Sequence, residues 1–382
     1  MQRRKFIGSA GLAGILAAGM APAVHANQAI RWRLGTRLPK ILDIPHGGLQ
    51  GFIKTVKELS GGKFELSLLI IEDASPGANV LELVQRGGVE CGFTSPARYI
   101  AKDEVFALDS AIPYGLNGPQ MDAWMLHGQG LDLLREFYAG YGIVNFPMGN
   151  SGAQMGGWYR KPLRSLSDIK GLRMRINGLG GRIIEQLGGR TVSQSGEETL
   201  KSLERGNLDA AEWNGPHDDL RLGLHDVCKY YAHPGWWNGS MQYALYVNRR
   251  AYGALTPENQ AILEAAAAQS HLDITAQYTA RNPLALAELV ATGTRLTATP
   301  KAVLDAAWKA AEALYADLAQ KNPQWKKIHA SYASFLKAQA WNQAGVDYDD
   351  YLHGQLMKAA EAEQKARKSA PAGRHKAAAP KK

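Results

Sequence analysis

Cysteine is almost missing from this 382-residue chain, which has only Cys91 and Cys228. Two thiols so far apart exclude a disulfide scaffold and a cysteine zinc site. Their apolar settings, GGVECGF and HDVCKYY, point to buried free thiols. A His-Glu-x-x-His motif is also missing, so His46, His217, His225 and His233 have no metal-ligand spacing. Gly149-Asn150-Ser151-Gly152-Ala153 lacks the last glycine of a nucleophile elbow. Gly178-Leu179-Gly180-Gly181 is not completed to a dinucleotide loop, because position 183 is isoleucine. Beyond the N-terminal segment no apolar run approaches the length of a membrane span. Positive charge is in excess, with 44 Lys+Arg against 35 Asp+Glu, but it is concentrated at the ends. Arg3, Arg4 and Lys5 open the chain, and Lys365, Arg367, Lys368, Arg374, Lys376, Lys381 and Lys382 close it. Without these ten, 34 basic residues face 35 acidic ones. A nearly neutral body excludes a nucleic-acid footprint, which needs a basic stripe on the folded surface.

The first 26 residues have the layout of an export signal. Arg3-Arg4 precede Phe6-Ile7, a weakly apolar Gly/Ala stretch follows, and Val24-His25-Ala26 forms a small-residue cleavage site. The paired arginines point to the twin-arginine route, and hence to a periplasmic protein. At the other end, residues 365–382 are rich in Ala, Pro and Lys and have nothing to pack, which predicts a disordered basic tail.

Between these ends the chain alternates strand-like and helix-like segments. Ile30 to Leu34 alternates as a strand does, Leu49, Phe52, Ile53 and Val56 have helical spacing, and Phe64 to Leu68 alternates again. A helix over Asn79 to Val84 and a strand over Val89 to Phe93 follow. The second half repeats this order. Leu172, Met174 and Ile176 alternate with Arg173 and Arg175, a helix runs from Gly180 to Leu187, and Ser195 with Glu198 forms a capping box. A strand over Leu208 to Glu212 comes next. From Pro300 the pattern is helical, with Leu304, Trp308, Ala311, Tyr315 and Leu318 on one stripe and a break at Pro323. These repeats predict an α/β fold with largely parallel sheets.

In open α/β sheets ligands bind beyond the carboxyl ends of the strands. Arg175 and Glu212 both fall there, each just before a turn (Ile-Asn-Gly and Trp-Asn-Gly-Pro). Arginine suits a carboxylate because its planar fork can form two parallel hydrogen bonds. The plainer reading is an Arg175–Glu212 salt bridge. Tyr99, Trp158, Trp213, Trp236 and Trp237, with the amides Gln154, Asn177, Asn214 and Asn238, occupy the same stretches. One arginine, one carboxylate, amides and aromatic walls suit a small organic anion, with room for a hard cation on oxygen ligands.

The stretch Ser167-Asp168-Ile169-Lys170-Gly171-Leu172-Arg173-Met174-Arg175 resembles the D-x-K-G-L-K-x-R signature of TRAP-transporter substrate-binding proteins of the DctP type. The resemblance extends through RYIAKDEVFALDSAIPYGL at 98–116, SGEETLKSLERGNLDAAEW at 195–213, GPHDDLRLGL at 215–224 and KYYAHPGWWNG at 229–239. EWNGPHDD and YYAHPGWW are similar to the branch that binds 2-oxo and related hydroxy acids with a cation. The resemblance implies a two-lobed periplasmic-binding-protein-like clamshell that closes by a hinge and ends in a long C-terminal helical region. Lobe I would comprise 27–150 and about 243–295, and lobe II 151–242 and about 296–325. The helices over 326–364 would serve in a homodimer. The resemblance also implies that Arg175 holds the substrate carboxylate, with Gln154, Tyr99, Asn214, Trp158 and Trp213 lining the ligand. Gln154, Glu212 and the Trp213 carbonyl would hold the cation, with Asn238 beside them. The branch has glutamate where this chain has Asn238. With one carboxylate fewer, Na+ is favoured over Ca2+, and no organic cofactor is implied. The partners implied are a small carboxylate and the TRAP membrane subunits, and the protein would not be an enzyme. Two other readings compete: a periplasmic enzyme acting on a small carboxylate, and a ligand-sensing module for a signalling receptor.

Overall fold

The structure, a computed structural model, describes residues 29–71 and 78–339. The export signal expected over 1–26, the tail expected over 365–382 and the part of the expected C-terminal helices beyond residue 339 lie outside the described residues. Eleven strands are present among the described residues: β1 (Ile30–Thr36), β2 (Phe64–Ile70), β3 (Cys91–Thr94), β4 (Ile143–Asn150), β5 (Trp158–Tyr159), β6 (Arg173–Arg175), β7 (Arg190–Val192), β8 (Ala210–Ala211), β9 (Tyr230–His233), β10 (Gln242–Asn248) and β11 (Arg295–Ala298). They form two sheets, in the orders β2-β1-β3-β10-β4 and β11-β9-β5-β8-β6-β7, which make two α/β lobes.

The sheets are mixed, and a single strand in each is responsible. β10 runs antiparallel to both β3 and β4, and β5 runs antiparallel to both β8 and β9. Both strands lie next to a crossing of the chain between lobes: β5 follows the outward passage after β4, and β10 is the return. The remaining pairs are parallel, and helices cover them as βα units require.

The local helix signals act where they fall in the chain. Ser195 Oγ accepts from the Glu198 N–H while the Glu198 carboxylate accepts from the Ser195 N–H, and this box opens the helix Gly196–Glu204. Asn117 and Gln120 form the same reciprocal cap for Gly118–His127. Pro323 separates the helices Lys301–Lys321 and Pro323–Gln339. Trp308, expected on the apolar stripe, is 46% exposed. It packs edge-on against Tyr114, while Val303, Ala307, Ala311, Leu314 and Leu318 form the buried face. Both cysteines are buried free thiols. Burial pushes the Cys228 thiol up to about 12 and raises that of Cys91 as well, which disfavours the reactive thiolate in both.

Three elements tie the lobes together. The 35-residue helix Pro257–Ala291 packs on the helix Asp43–Leu59 and on β4 with one part, and on the helix Pro216–Leu222 with another. Near its internal Pro283, Asn282 accepts from the His217 N–H (3.1 Å) and donates to the Ser151 carbonyl (3.3 Å). Asp43, at the start of its helix, is bonded to His217 Nε2 (2.8 Å) and lies near Arg221 (3.4 Å) and Arg281 (3.3 Å). Finally, the two C-terminal helices buckle across the molecule. Leu116 N–H donates to the Tyr332 hydroxyl at 2.7 Å, and the Tyr114 hydroxyl donates to the Leu304 carbonyl at 2.7 Å.

Candidate functional site

β6 and β8 are parallel neighbours with Arg175 opposite Ala211, so Arg175 and Glu212 fall at the same end of the sheet. Both are buried, at 7% exposure each. Arg175 Nη1 donates to Glu212 Oε2 at 2.7 Å and to the Glu212 carbonyl at 2.6 Å, and Nε reaches the Gln194 carbonyl at 3.3 Å. The guanidinium lies over the Trp213 ring, 4.9 Å from its centroid. Its remaining terminal nitrogen, Nη2, has no hydrogen-bond partner among the described residues and is available to an anion. The salt-bridge reading is thus present in the structure, but it uses only part of the arginine.

Glu212 is raised to about 7. Burial outweighs the opposing effect of Arg175, and the charge of Asp219 adds to the rise. Asp219 sits behind it, accepting from Trp158 Nε1 (2.8 Å), the Tyr231 hydroxyl (2.7 Å) and the Asn214 N–H (3.1 Å). Burial lifts Asp219 to about 6 and its neighbour Asp218 to about 7. Asp218 accepts from Asn214 Nδ2 and from the Tyr278 hydroxyl (2.8 Å). Both aspartates fall in the EWNGPHDD stretch that carries the family resemblance, but the sequence assigns neither a role. Their roles emerge only from the partners that tertiary packing brings in.

The amides form a chain through Asn214. Its Oδ1 accepts from Ser151 Oγ (3.0 Å) and Gln154 Nε2 (3.2 Å), while Gln154 Oε1 accepts from Asn238 Nδ2 at 2.7 Å. A backbone bond from Gln154 N–H to the Asn238 carbonyl (3.1 Å) fixes the two segments together. The close crossing requires glycine at position 235, because a Cβ there would collide with the Gln154 carbonyl oxygen. Gln154, Asn214 and Asn238 are therefore joined, and Glu212 and Trp213 immediately precede Asn214. These residues carry amide, carbonyl and carboxylate oxygens, the donor type a hard cation takes, with Gln154 Oε1 engaged here by Asn238 Nδ2 and Glu212 Oε2 by Arg175. A cation there would also favour the ionised form of Glu212 that burial alone disfavours.

Trp158 is fully buried, stacked on Tyr231 at 4.0 Å with its N–H bonded to Asp219, so it supports the wall from behind. Tyr99 comes from the other lobe, at the end of the turn after β3, with its hydroxyl 2.9 Å from Thr94 Oγ1. Asp43, His217 and Asp218 also bring ligand atoms within 4.8 Å of one another. Partial burial raises Asp43, but the His217 bond and the charges of Arg221 and Arg281 hold it below the usual carboxylate range. This cluster is an ion-pair network between the lobes. Two open surface depressions, of about 470 and 360 Å3, lie elsewhere, beside Gln129 and Lys327 and beside Lys54 and Gly62.

An arginine-centred polar site where strand ends of two α/β lobes meet is the arrangement of a clamshell solute-binding protein. The chain belongs to the DctP family, the bacterial extracellular solute-binding proteins of family 7, whose model matches residues 39–322. It is 36% identical over 361 residues to a monocarboxylate 2-oxoacid-binding periplasmic protein of Nostoc sp., covering 92% of this chain and 99% of that one. Among solved structures it is similar to a TRAP transporter solute-binding protein of Bordetella bronchiseptica RB50 (40% identity, 87% of this chain and 99% of that one, TM-score 0.82). That protein is a mixed-occupancy dimer with calcium and picolinate in the bound site. It is also similar to a TRAP periplasmic solute-binding protein of Pseudoalteromonas atlantica with bound sodium and pyruvate (31% identity, 83% and 98% coverage, TM-score 0.79). The family is one of extracytoplasmic solute receptors. No helix among the described residues is long and apolar enough to cross a membrane.

Proposed function

We propose that this chain is the periplasmic receptor of a TRAP transporter, capturing a small 2-oxo or 2-hydroxy monocarboxylate and delivering it unaltered to the membrane subunits. The observation that carries the reading is the open side of Arg175, a buried guanidinium with an unused terminal nitrogen next to a set of oxygen donors. Arg175 grips the carboxylate, and Gln154, Asn214, Trp213 and Tyr99 surround the remainder, with Trp158 behind. Gln154, Glu212, the Trp213 carbonyl and Asn238 hold a cation against the ligand oxygens. Sodium is the better fit, since Glu212 is the only carboxylate in the set. Lobe I is 27–150 with about 243–295, lobe II is 151–242 with about 296–325, and residues 326–364 serve in a homodimer. Export follows the twin-arginine route.

A thermal-shift screen of small carboxylates, with and without sodium or calcium, tests this. A ligand at a hundredfold excess over Kd adds about 2.7 kcal/mol of stability to the folded state. The expected outcome is a shift with pyruvate and related acids that is lost in Arg175→Ala, and a cation dependence that is lost in Glu212→Gln. Chemical alteration of the bound acid, read by mass spectrometry of the released compound, would overturn the receptor reading in favour of an enzyme.

A further inference from the structure

The ring of His271 joins the long helix to the strand that crosses between the lobes. β4 and β10 pair antiparallel, but their register shifts between Gln242 and Ala244, so that Met148 and Gly149 together face Tyr243. Such a bulge bends its strand and re-aims the side chains that follow it. Gly149 is buried and takes φ 135° there, and a Cβ on it would lie 2.7 Å from Ile274 Cγ2. Its N–H donates to His271 Nδ1 at 2.9 Å. A backbone N–H can only donate, so Nδ1 is bare and the ring proton is on Nε2, 3.0 Å from Asp122 Oδ1. Asp122 belongs to the helix Gly118–His127. His271 and Ile274 are three residues apart on the helix Pro257–Ala291 and therefore share a face. One turn of that helix thus grips the bulge through a hydrogen bond and leaves it no room for a side chain. The bulge ends two residues before Ser151, whose N–H donates to the Met241 carbonyl (3.0 Å) and whose Oγ donates to Asn214 Oδ1 (3.0 Å). That bond ties the crossing strand to the amides of the site.

We infer that His271 is a positioning residue for ligand binding, acting through the Gly149 N–H. Without an acceptor from the helix, the bulge leaves that N–H buried and unpaired, which is unfavourable. A one-residue slip that restores the regular ladder would turn Asn150 and Ser151 to opposite faces, and Ser151 Oγ would leave Asn214. A ligand would then have to reorder the amides of Asn214 and Gln154 as it binds, and affinity falls when a site is no longer preorganised. The inference rests on the reading of Gln154 and Asn214 as ligand-lining residues.

The test titrates pyruvate, with sodium present, calorimetrically into the full-length wild type, His271→Asn and His271→Gln. Asparagine places its Oδ1 where the histidine has Nδ1, so it keeps an acceptor for Gly149 and gives up Asp122. Glutamine reaches Asp122 but gives up Gly149. His271→Asn is expected to bind within about threefold of the wild type and His271→Gln roughly tenfold more weakly, the fold-change of one hydrogen bond. Urea midpoints are measured on the same samples, because a histidine with a merely structural role would make affinity follow stability instead of the nitrogen that is replaced. Ser151→Ala should weaken binding in the wild-type background and add nothing in His271→Gln, where its contact with Asn214 is already lost. Equal affinities of His271→Asn and His271→Gln, or additive effects of Ser151→Ala and His271→Gln, would overturn the inference and leave the receptor reading intact. A wild type that does not bind pyruvate would overturn both.

Discussion

At the scale of single residues, the site is governed by three buried carboxylates that burial pushes towards neutrality: Glu212 and Asp218 to about 7, and Asp219 to about 6. A carboxyl whose folded pKa lies above its unfolded value binds its proton more tightly in the folded state. Its contribution to stability is complete below about pH 4 and is lost as pH rises through 6 to 7. The protein without cation should therefore lose stability between about pH 4 and 7, and Glu212→Gln, which copies the protonated form, should flatten part of that slope in urea titrations. Sodium added at pH 8 should restore stability in the wild type and have little effect in Glu212→Gln. Asp219 has a second role as the shared acceptor of Trp158, Tyr231 and Asn214. Asp219→Ala leaves those donors buried and unpaired, at about 1–3 kcal/mol for each lost partner. It should lower the urea midpoint more than any single change among its donors. Arg175 and Glu212 were legible in the sequence because strand ends are marked by alternation and by the turn that follows. Asp218 and Asp219 were not, since what sets them apart is which hydroxyls and N–H groups the fold brings to them.

Secondary-structure elements differ in legibility for a similar reason. The helix Gly196–Glu204 announces itself through Ser195 and Glu198, two residues that satisfy each other locally. β5 and β8 are two residues long and exist only because neighbours pair with them; the five-residue strand expected over Leu208 to Glu212 shrinks to Ala210–Ala211. The helix Pro257–Ala291 carries no single apolar stripe, because different parts of it face different lobes. Leu263, Ala266, Ala267, Ile274 and Tyr278 are buried towards one end, and Ala285 and Leu289 towards the other. Its seat on the helix Asp43–Leu59 depends on Gly48, where any Cβ would collide with the Ile274 side chain. Gly48→Val should therefore destabilise the protein by about 1–3 kcal/mol, the usual cost of overfilling a packed contact, measured by chemical denaturation.

For the molecule as a whole, two sheets joined by β4, the returning β10 and one long helix form the frame of a hinged clamp. The composition already excluded the alternatives that would need other resources, such as a basic surface, cysteine ligands or a histidine metal motif. It could not show that the C-terminal helices bridge the lobes through Tyr114, Tyr315 and Tyr332, because those partners lie about 200 positions apart in the chain. The central claim is that a carboxylate enters between the lobes and is held by the guanidinium of Arg175. It is tested most directly by isothermal titration of pyruvate, in the presence of sodium, into the wild type and Arg175→Ala, both checked for native circular dichroism. The account predicts measurable binding to the wild type and a loss of at least roughly a hundredfold in the variant, as expected when a buried charge-assisted contact is removed. Equal affinities in the two proteins would contradict it.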